Sequence, residues 1–280
     1  MMVLCKGGVK TAGSGGQGHR PNRRKAWLWL VDGLLLLALG VAVWKLAGYA
    51  RSYRESAAQY ADIRQAALIM PSPIPSSSAA PEATPAATPE TPIAVDWEAL
   101  QNRNKEIVAW LYCEDTVINY PVTQCDDNEY YLNRNADREE DEAGALFFDC
   151  RNNLFSPAEN LIIYGHRRYD LSMFGSLARY AEEDYYRQHP VMYLLTPQQN
   201  YRVEIFACRT VEGASRYFQT QFEDDDAQQT YIRRAILRSY WQTDIATDAD
   251  CAILTLATCS SYDGADSPRL LIHGLLVPLA

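Results

Sequence analysis

Eight short apolar runs, rich in β-branched and aromatic residues and bounded by turn-forming residues, occupy the C-terminal two thirds of the chain. Runs of this composition predict β-strands. They cover Ile107–Leu111, Val117–Val122, Ala145–Phe148, Leu161–Tyr164, Val191–Leu195, Tyr201–Cys208, Ala252–Thr258 and Leu270–Val277. A series of short strands separated by turns is typical of closed β architectures, so the sequence predicts a mainly-β fold built as a closed or nearly closed eight-stranded barrel.

Helices are predicted at the periphery of this barrel. Asp96–Leu100 resembles a short helix capped by its first aspartate. Two insertions, 173–183 and 225–240, also have helical composition. The second begins with acidic residues and carries arginines toward its end, as the helix dipole favours.

The N-terminal segment has the composition of a membrane anchor. Residues 26–48 would span roughly 34 Å as a helix, enough for a hydrocarbon core of about 30 Å. Residues 1–25 contain six Lys or Arg and no acid, which predicts a basic cytoplasmic tail and an external C-terminal body. A cleaved signal peptide is the alternative, although the apolar stretch is long and no Ala-x-Ala site follows it.

Residues 49–94 are predicted to separate this anchor from the body. The first part is compatible with a juxtamembrane helix, whereas Pro71 to Pro92 contains half of the 14 prolines. Such a segment cannot bury a core and favours extended conformations. The globular domain is therefore predicted over residues 95–280. Subtracting the +6 of the basic tail from the formal −9 leaves −15 for residues 26–280, which argues against nucleic-acid binding.

Cys259 is the cysteine with the most distinctive setting. It ends an apolar run, and polar residues follow it, so its thiol would face a loop and could react as a thiolate nucleophile. A buried strand cysteine is the alternative interpretation. The seven cysteines show no CxxC and no compact ligand cluster, so neither a structural zinc nor another metal site is predicted.

His166 and Arg269 also stand at strand ends. His166 closes an apolar run after Gly165, and Arg269 begins the last run. An imidazole beside the thiol could carry protons, and a guanidinium could lower the thiol pKa, hold a substrate carbonyl or stabilise an oxyanion. Taken singly, a surface-loop histidine and a solvated arginine explain the same positions.

Taken together, the stretches around these three residues and several others resemble the sortase family, and class B in particular. The resemblance covers roughly residues 96–280. The matching stretches are 117–122 (VINYPV), 127–133 (DNEYYLN), 144–152 (GALFFDCRN), 160–166 (NLIIYGH), 173–177 (MFGSL) and 255–259 (TLATC), followed by Arg269.

The resemblance implies a sortase barrel and a transpeptidation reaction. Cys259 would attack the backbone carbonyl of a sorting motif in a surface protein and form a thioacyl enzyme. His166 would act as general acid and base. Arg269 would hold the substrate and stabilise the oxyanion together with the backbone N–H of Ser260. The accepting amine would belong to peptidoglycan or a pilin, and no cofactor is implied.

Four further residues match positions that line the substrate groove in the family: Asn128, Leu132, Tyr217 and Phe218. Ordinary packing between loops and barrel is the alternative for each. Two other functions also remain open from the sequence: a cysteine peptidase that only hydrolyses its substrate, and a catalytically silent, anchored binding module.

Overall fold

The computed structural model describes residues 23–69, 91–154, 160–212, 217–245, 252–259 and 268–279. The chain divides into two units, Met1–Ala50 and Arg51–Ala280. Helix α1 (Arg23–Ala67) begins in the first unit. Its apolar part has a mean hydropathy of 2.0 and no buried residue, and it is the one helix in the described part of the chain long and apolar enough to cross a membrane. This agrees with the anchor predicted over residues 26–48.

The second part of α1 belongs to the same unit as the barrel. Tyr60, Ile63 and Ala67 are buried in the main core, because their spacing places them on one face of the helix. Strand β1 (Leu68–Ile69) then pairs with β2 (Ala94–Val95). Residues 49–94 were predicted to be a spacer outside the catalytic domain, and this packing was not predicted. Most of the proline-rich spacer lies outside the described residues.

The eight predicted barrel strands are all present. Their bounds are β3 (Ile107–Tyr112), β4 (Asn119–Thr123), β5 (Leu146–Phe148), β6 (Asn160–His166), β7 (Val191–Leu195), β8 (Tyr201–Val211), β9 (Ile253–Cys259) and β10 (Arg269–Pro278). They form a closed barrel in the order β10-β8-β7-β3-β4-β5-β6-β9. The predicted fold class is therefore confirmed.

Two neighbouring pairs, β4 with β5 and β6 with β9, are parallel. All the other barrel neighbours are antiparallel. Because a parallel pair needs a crossover connection, the chain between β6 and β9 contains β7, β8 and two helices. The crossover brings the C-terminal ends of β6 and β9 to the same rim.

Side chains alternate between the barrel interior and its outer face along each strand. On β6, Leu161 and Ile163 belong to the main core, whereas Ile162 packs in an outer cluster. On β9, Leu254 and Leu256 point to the main core and Ala257 to the outer cluster. The outer face of β6 and β9 is thus itself covered by packed residues.

Helices flank the barrel as predicted, with one difference. Helix α2 (Trp97–Arg103) is capped by Asp96, and α4 (Asp225–Leu237) begins at the predicted residue. The predicted helix at 173–183 is instead a 3₁₀ segment, Gly175–Ala181, followed by α3 (Glu183–Gln188). Gly175 has low helix propensity, and no side chain caps this segment.

Candidate active site

The ends of β6 and β9 place His166 beside Cys259. The two residues are Cα partners at the last position of the parallel ladder. Strand β10 pairs Leu271 with Ala257, and the same antiparallel register, continued by two residues, brings Arg269 opposite Cys259. The Arg269 guanidinium contributes a long hydrogen bond of 3.4 Å to the Thr258 carbonyl. The backbone of the three strands therefore brings the residues predicted to act together to one rim of the barrel.

The three positions also share one face of the sheet. Ile162, Ala257 and Leu271 pack together on the outer face. Because strand residues alternate, positions two or four residues further toward the rim on the same strands lie on this face as well. On β6 and β9 these positions are His166 and Cys259, and on β10, which runs in the opposite direction, Arg269 occupies the equivalent place.

His166 is held inside this rim and is only 7% exposed. Its Nε2 lies 2.5 Å from the carbonyl oxygen of Leu132, so Nε2 is the nitrogen that carries the proton and donates. Nδ1 is buried and has no hydrogen-bond partner among the described residues. The nitrogen free to exchange a proton with a reacting group is therefore Nδ1.

Burial is the main reason that the pKa of His166 lies below its ordinary value. The Leu132 carbonyl raises this pKa, whereas the nearby positive charges of Arg168 and Arg269 lower it further. The carboxylate of Asp141 also raises it. The neutral imidazole is thus favoured until a negative charge, such as a thiolate, comes close.

Two glycines are required by this close packing. Gly165 stands between Tyr164 and His166, and a Cβ there would clash with the side chains of Leu146 and Phe174. Gly144 has a φ of +62°, and a Cβ on it would lie 2.8 Å from the Leu132 carbonyl oxygen and 3.0 Å from the His166 ring. A larger residue at Gly144 would displace the histidine or its partner, and one at Gly165 would displace Leu146 or Phe174.

The segment 125–144 forms one side of the site, here named the histidine-side wall. Leu132 contributes the carbonyl that holds His166, and its side chain packs against Tyr131, Ala145 and Phe147. Asn128 accepts a hydrogen bond from the Cys150 N–H at 2.8 Å. Both residues were predicted to line a substrate groove. The structure places Leu132 at the histidine and gives the Asn128 side chain a partner in the neighbouring loop.

Residues 217–220 form the other side, here named the helix-side wall. The ring centroid of Phe218 lies 6.1 Å from that of Tyr164, which lies 5.4 Å from that of Phe147. Tyr217 is stacked under the Arg209 guanidinium at 3.5 Å and accepts a hydrogen bond from Arg238. The predicted groove residues of the two walls are thus linked by a row of aromatic rings on the outer face.

A cluster that the sequence reasoning gave no role supports this row. Asp149 is fully buried and accepts hydrogen bonds from Tyr164 at 2.8 Å and Arg151 at 2.7 Å. Burial raises the pKa of Asp149, but Arg151 and Tyr164 outweigh it and the net pKa is lowered. Arg151 also donates to the Phe218 carbonyl. The signal was present in the string Phe147-Phe148-Asp149-Cys150-Arg151, whose carboxylate and guanidinium are close in sequence.

Two predicted features of the site fall outside the described residues. They are Ser260, whose backbone N–H was predicted to bind the oxyanion, and the Cys259 side chain.

In the described part of the chain no group of His, Cys, Asp and Glu is arranged to hold a metal ion. In the acidic run before α4, Asp224 caps the helix by accepting from the Ala227 N–H. Cys113 and Cys208 are free thiols buried in the fold.

Residues 111–277 match the family model of the sortase domain. Sortase B of Listeria monocytogenes is 35% identical over 178 residues, which cover 64% of this chain and 72% of that protein. Sortase B of Staphylococcus aureus is 29% identical over 184 residues, which cover 66% of this chain and 75% of that protein.

Solved structures agree with these sequence matches. A Staphylococcus aureus sortase B–substrate complex superposes with a TM-score of 0.63 at 29% identity, covering 66% of this chain and 85% of that one. Sortase B of Bacillus anthracis in complex with AAEK1 gives a TM-score of 0.60 at 37% identity, covering 65% of this chain and 84% of that one.

A barrel that carries a histidine, a cysteine and an arginine at one rim has the arrangement of a thiol enzyme. The family of that enzyme is given by the sequence and structure matches. The chain belongs to the sortase family. These relatives and structural neighbours are class B sortases, so the class B resemblance is confirmed. Sortases are cysteine transpeptidases, and this chain is an enzyme of that kind.

Proposed function

We propose that this protein is a membrane-anchored transpeptidase in which Cys259, His166 and Arg269 carry out the reaction. The observation that supports this most strongly is the register of β6, β9 and β10, which aligns the three residues on one outer face at the barrel rim. The substrate is a surface protein with a sorting motif, and the acceptor is an amine of peptidoglycan or of a pilin.

In the first half of the reaction, the Cys259 thiolate attacks the carbonyl carbon of the scissile peptide bond. A C–S bond forms, and the carbonyl electron pair moves to the oxygen. As the oxyanion collapses, the C–N bond breaks and His166 gives a proton to the departing amine. A thioacyl enzyme and a free downstream peptide result.

The second half reverses these steps with a different amine. The incoming amine attacks the thioacyl carbon and passes its proton to His166, the new amide forms, and the C–S bond breaks to regenerate the thiolate. Nδ1 is the nitrogen available for both proton transfers, because Nε2 is engaged by the Leu132 carbonyl. Because its pKa is lowered, His166 is neutral and can accept a proton. The negative charge of the thiolate raises that pKa again, so the protonated ring can also donate one.

Arg269 stabilises the oxyanion with its positive charge, and the backbone N–H of Ser260 is the second donor. The guanidinium already lies at the strand that ends in Cys259, where it donates to the Thr258 carbonyl. A cation beside a thiol also favours the thiolate form that attacks the substrate.

The substrate peptide lies along the outer face between the two walls. Asn128 and Leu132 of the histidine-side wall and Tyr217 and Phe218 of the helix-side wall contact it. Similar enzymes support this choice of substrates: one solved sortase B is a complex with substrate, and another is a complex with triglycine.

Residues 26–48 anchor the enzyme in the cell membrane as a single span. The tail of residues 1–25 lies in the cytoplasm, the spacer within residues 49–94 follows the span, and the catalytic domain, residues 95–280, lies outside. The exposed apolar helix supports the span, and the basic tail supports the orientation.

Variant turnover tests this assignment. A peptide library first identifies a cleaved sequence, and ligation of that peptide to an added oligoglycine or diaminopimelate-type amine is then followed by chromatography. Cys259→Ala should abolish ligation, and His166→Ala and Arg269→Ala should each lower kcat/KM by at least roughly a hundredfold. Near-normal rates in either of the last two variants would remove that residue from the mechanism.

The product distinguishes this function from the two others. A hydrolytic peptidase gives cleaved peptide but no ligated product when the amine is added. A silent binding module gives neither product, and a thiol-directed vinyl sulfone fails to label Cys259.

A further inference from the structure

We propose that the juxtamembrane part of α1 (Arg51–Ala67) is a positioning element of the active site, which holds the segments on both sides of His166. This inference rests on the proposed function, because it assigns a role in positioning the catalytic histidine. It goes beyond that function because it makes part of the anchor helix a component of the catalytic apparatus. Tyr60 is its central residue.

The first link runs from Tyr60 to the backbone that surrounds the imidazole. Tyr60 is 3% exposed, and its hydroxyl donates a hydrogen bond of 2.7 Å to the Gly144 carbonyl. Gly144 touches the Leu132 carbonyl and the His166 ring so closely that a Cβ would not fit. A shift of Gly144 would therefore be felt directly by the imidazole and by the carbonyl that orients it.

The second link fixes the rest of the histidine-side wall to the same helix face. Ser56, one turn before Tyr60, donates to an oxygen of Asp141 at 2.6 Å. The Asp141 carbonyl accepts from the Gly144 N–H at 3.0 Å, and Asp141 is the acid that raises the pKa of His166. Gln59 donates to Glu139 at 2.8 Å. One helix thus holds the wall at three places.

The third link lies on the other side of the histidine. Arg168, two residues after His166, is 5% exposed, and its guanidinium lies 4.2 Å from the ring centroid of Tyr53. The Tyr120 ring, which packs edge-on against Tyr60, has a hydroxyl that accepts from the Met173 N–H. The loop that follows His166 is therefore held by α1 directly and through Tyr120.

Simple packing of a helix on a barrel would give stability but not these particular partners. The hydrogen bonds from Tyr60 and Ser56 end on the segment that carries Leu132, the partner of the histidine. The Tyr53 ring stacks on Arg168, two residues after His166. A positioning role follows because small displacements of a proton-transfer group have large effects on the rate.

Tyr60→Phe is the test, because it removes the hydroxyl and keeps the ring. Tyr180→Phe is the matched control: Tyr180 is also buried, and its hydroxyl donates to the His189 backbone carbonyl at 2.9 Å and lies beside the Cys113 sulfur. Both variants are made in the full-length chain in detergent micelles. Their melting temperatures should fall by similar amounts.

Only Tyr60→Phe should change the histidine. Its kcat should fall roughly tenfold with little change in KM, since the loss concerns proton transfer and not peptide binding. NMR titration of histidine-labelled protein should show a pKa of His166 that differs from that of the unaltered chain, because both the burial of the imidazole and its bond to the Leu132 carbonyl depend on the position of Gly144. Ser56→Ala should shift both quantities in the same directions by less.

If kcat and the His166 titration of Tyr60→Phe match those of Tyr180→Phe, the positioning role is wrong. The NMR titration needs no substrate, so it reads the histidine even if the proposed reaction fails. A His166→Ala variant that keeps normal ligation would instead overturn the proposed function. The two failures are therefore distinguishable.

Discussion

The two walls of the site are held in different ways. The histidine-side wall is tied from outside the barrel by side chains of α1, and some of these contacts, such as Gln59 with Glu139, are exposed. The helix-side wall is tied from beneath by Asn160, which is fully buried and donates from its side chain to the Gln219 carbonyl at 2.9 Å. One wall depends on the second part of the long N-terminal helix α1, and the other depends on the sheet.

The attachment of the helix-side wall continues as a buried chain of polar groups. Tyr231 of α4 donates to the Tyr217 carbonyl at 3.1 Å and accepts from Asn160. Thr255 of β9 donates to Asn160 at 2.7 Å, and its oxygen lies 3.0 Å from Nδ1 of His273. Because buried groups left without partners are costly, substitutions in this chain should lower the free energy of unfolding before they lower turnover. Substitutions in the histidine-side wall should lower turnover first.

Acid should affect the helix-side wall most. Burial lowers the pKa of His273 to about 3, against an ordinary value near 6.5. Between these values the unfolded chain binds a proton that the folded chain does not, so stability falls as the pH falls. Urea titrations should show a loss on the order of 1.5 kcal/mol from this residue between pH 6.5 and 5.

His273→Gln is the control for that effect, because glutamine cannot titrate in this range. Its stability should depend less on pH than that of the unaltered chain. Equal slopes in the two proteins would mean that His273 is not the source and that the buried chain does not distinguish this wall. His166, whose pKa is also lowered by burial, contributes in the same direction in both proteins.

Tyr231→Phe sharpens the comparison on a smaller scale. It removes the donor to the Tyr217 carbonyl and should cost about 1 kcal/mol in urea denaturation. Because Tyr217 and Phe218 are proposed to contact the peptide, KM should rise while kcat changes little, the opposite of Tyr60→Phe. Gln59→Ala, which removes the exposed bond to Glu139 on the other wall, should cost only about 0.5 kcal/mol. A fall in kcat for Tyr231→Phe with unchanged KM would contradict the assignment of the walls.

The barrel could be predicted from the sequence because each strand is a local pattern. Val191–Leu195 was predicted with the bounds observed, and the other strands differ by a few residues at their ends. The parallel pairing of β6 with β9, which joins His166 to Cys259, cannot be read from either run alone. The family resemblance implied only that the two residues act together, and the parallel register is a finding of the structure.

The contacts of α1 could not be predicted in the same way. Tyr60 and Gly144 are separated by 84 residues, and nothing local to either indicates the other. The Arg51–Ala67 segment is polar enough to look like a solvated spacer, since its buried face carries Ser56 and just three apolar residues, Tyr60, Ile63 and Ala67. The role of the Leu132 carbonyl was missed because a backbone group leaves no trace in the residue type.

The most direct test of the account is to find the atom that carries the acyl group. The full-length enzyme is mixed with a cleaved peptide without an added amine, quenched with acid, digested and mapped by mass spectrometry. We expect the N-terminal part of the peptide as a thioester on Cys259, and no adduct in Cys259→Ala. An adduct on another residue, or one that survives the Cys259→Ala change, would contradict the central claim.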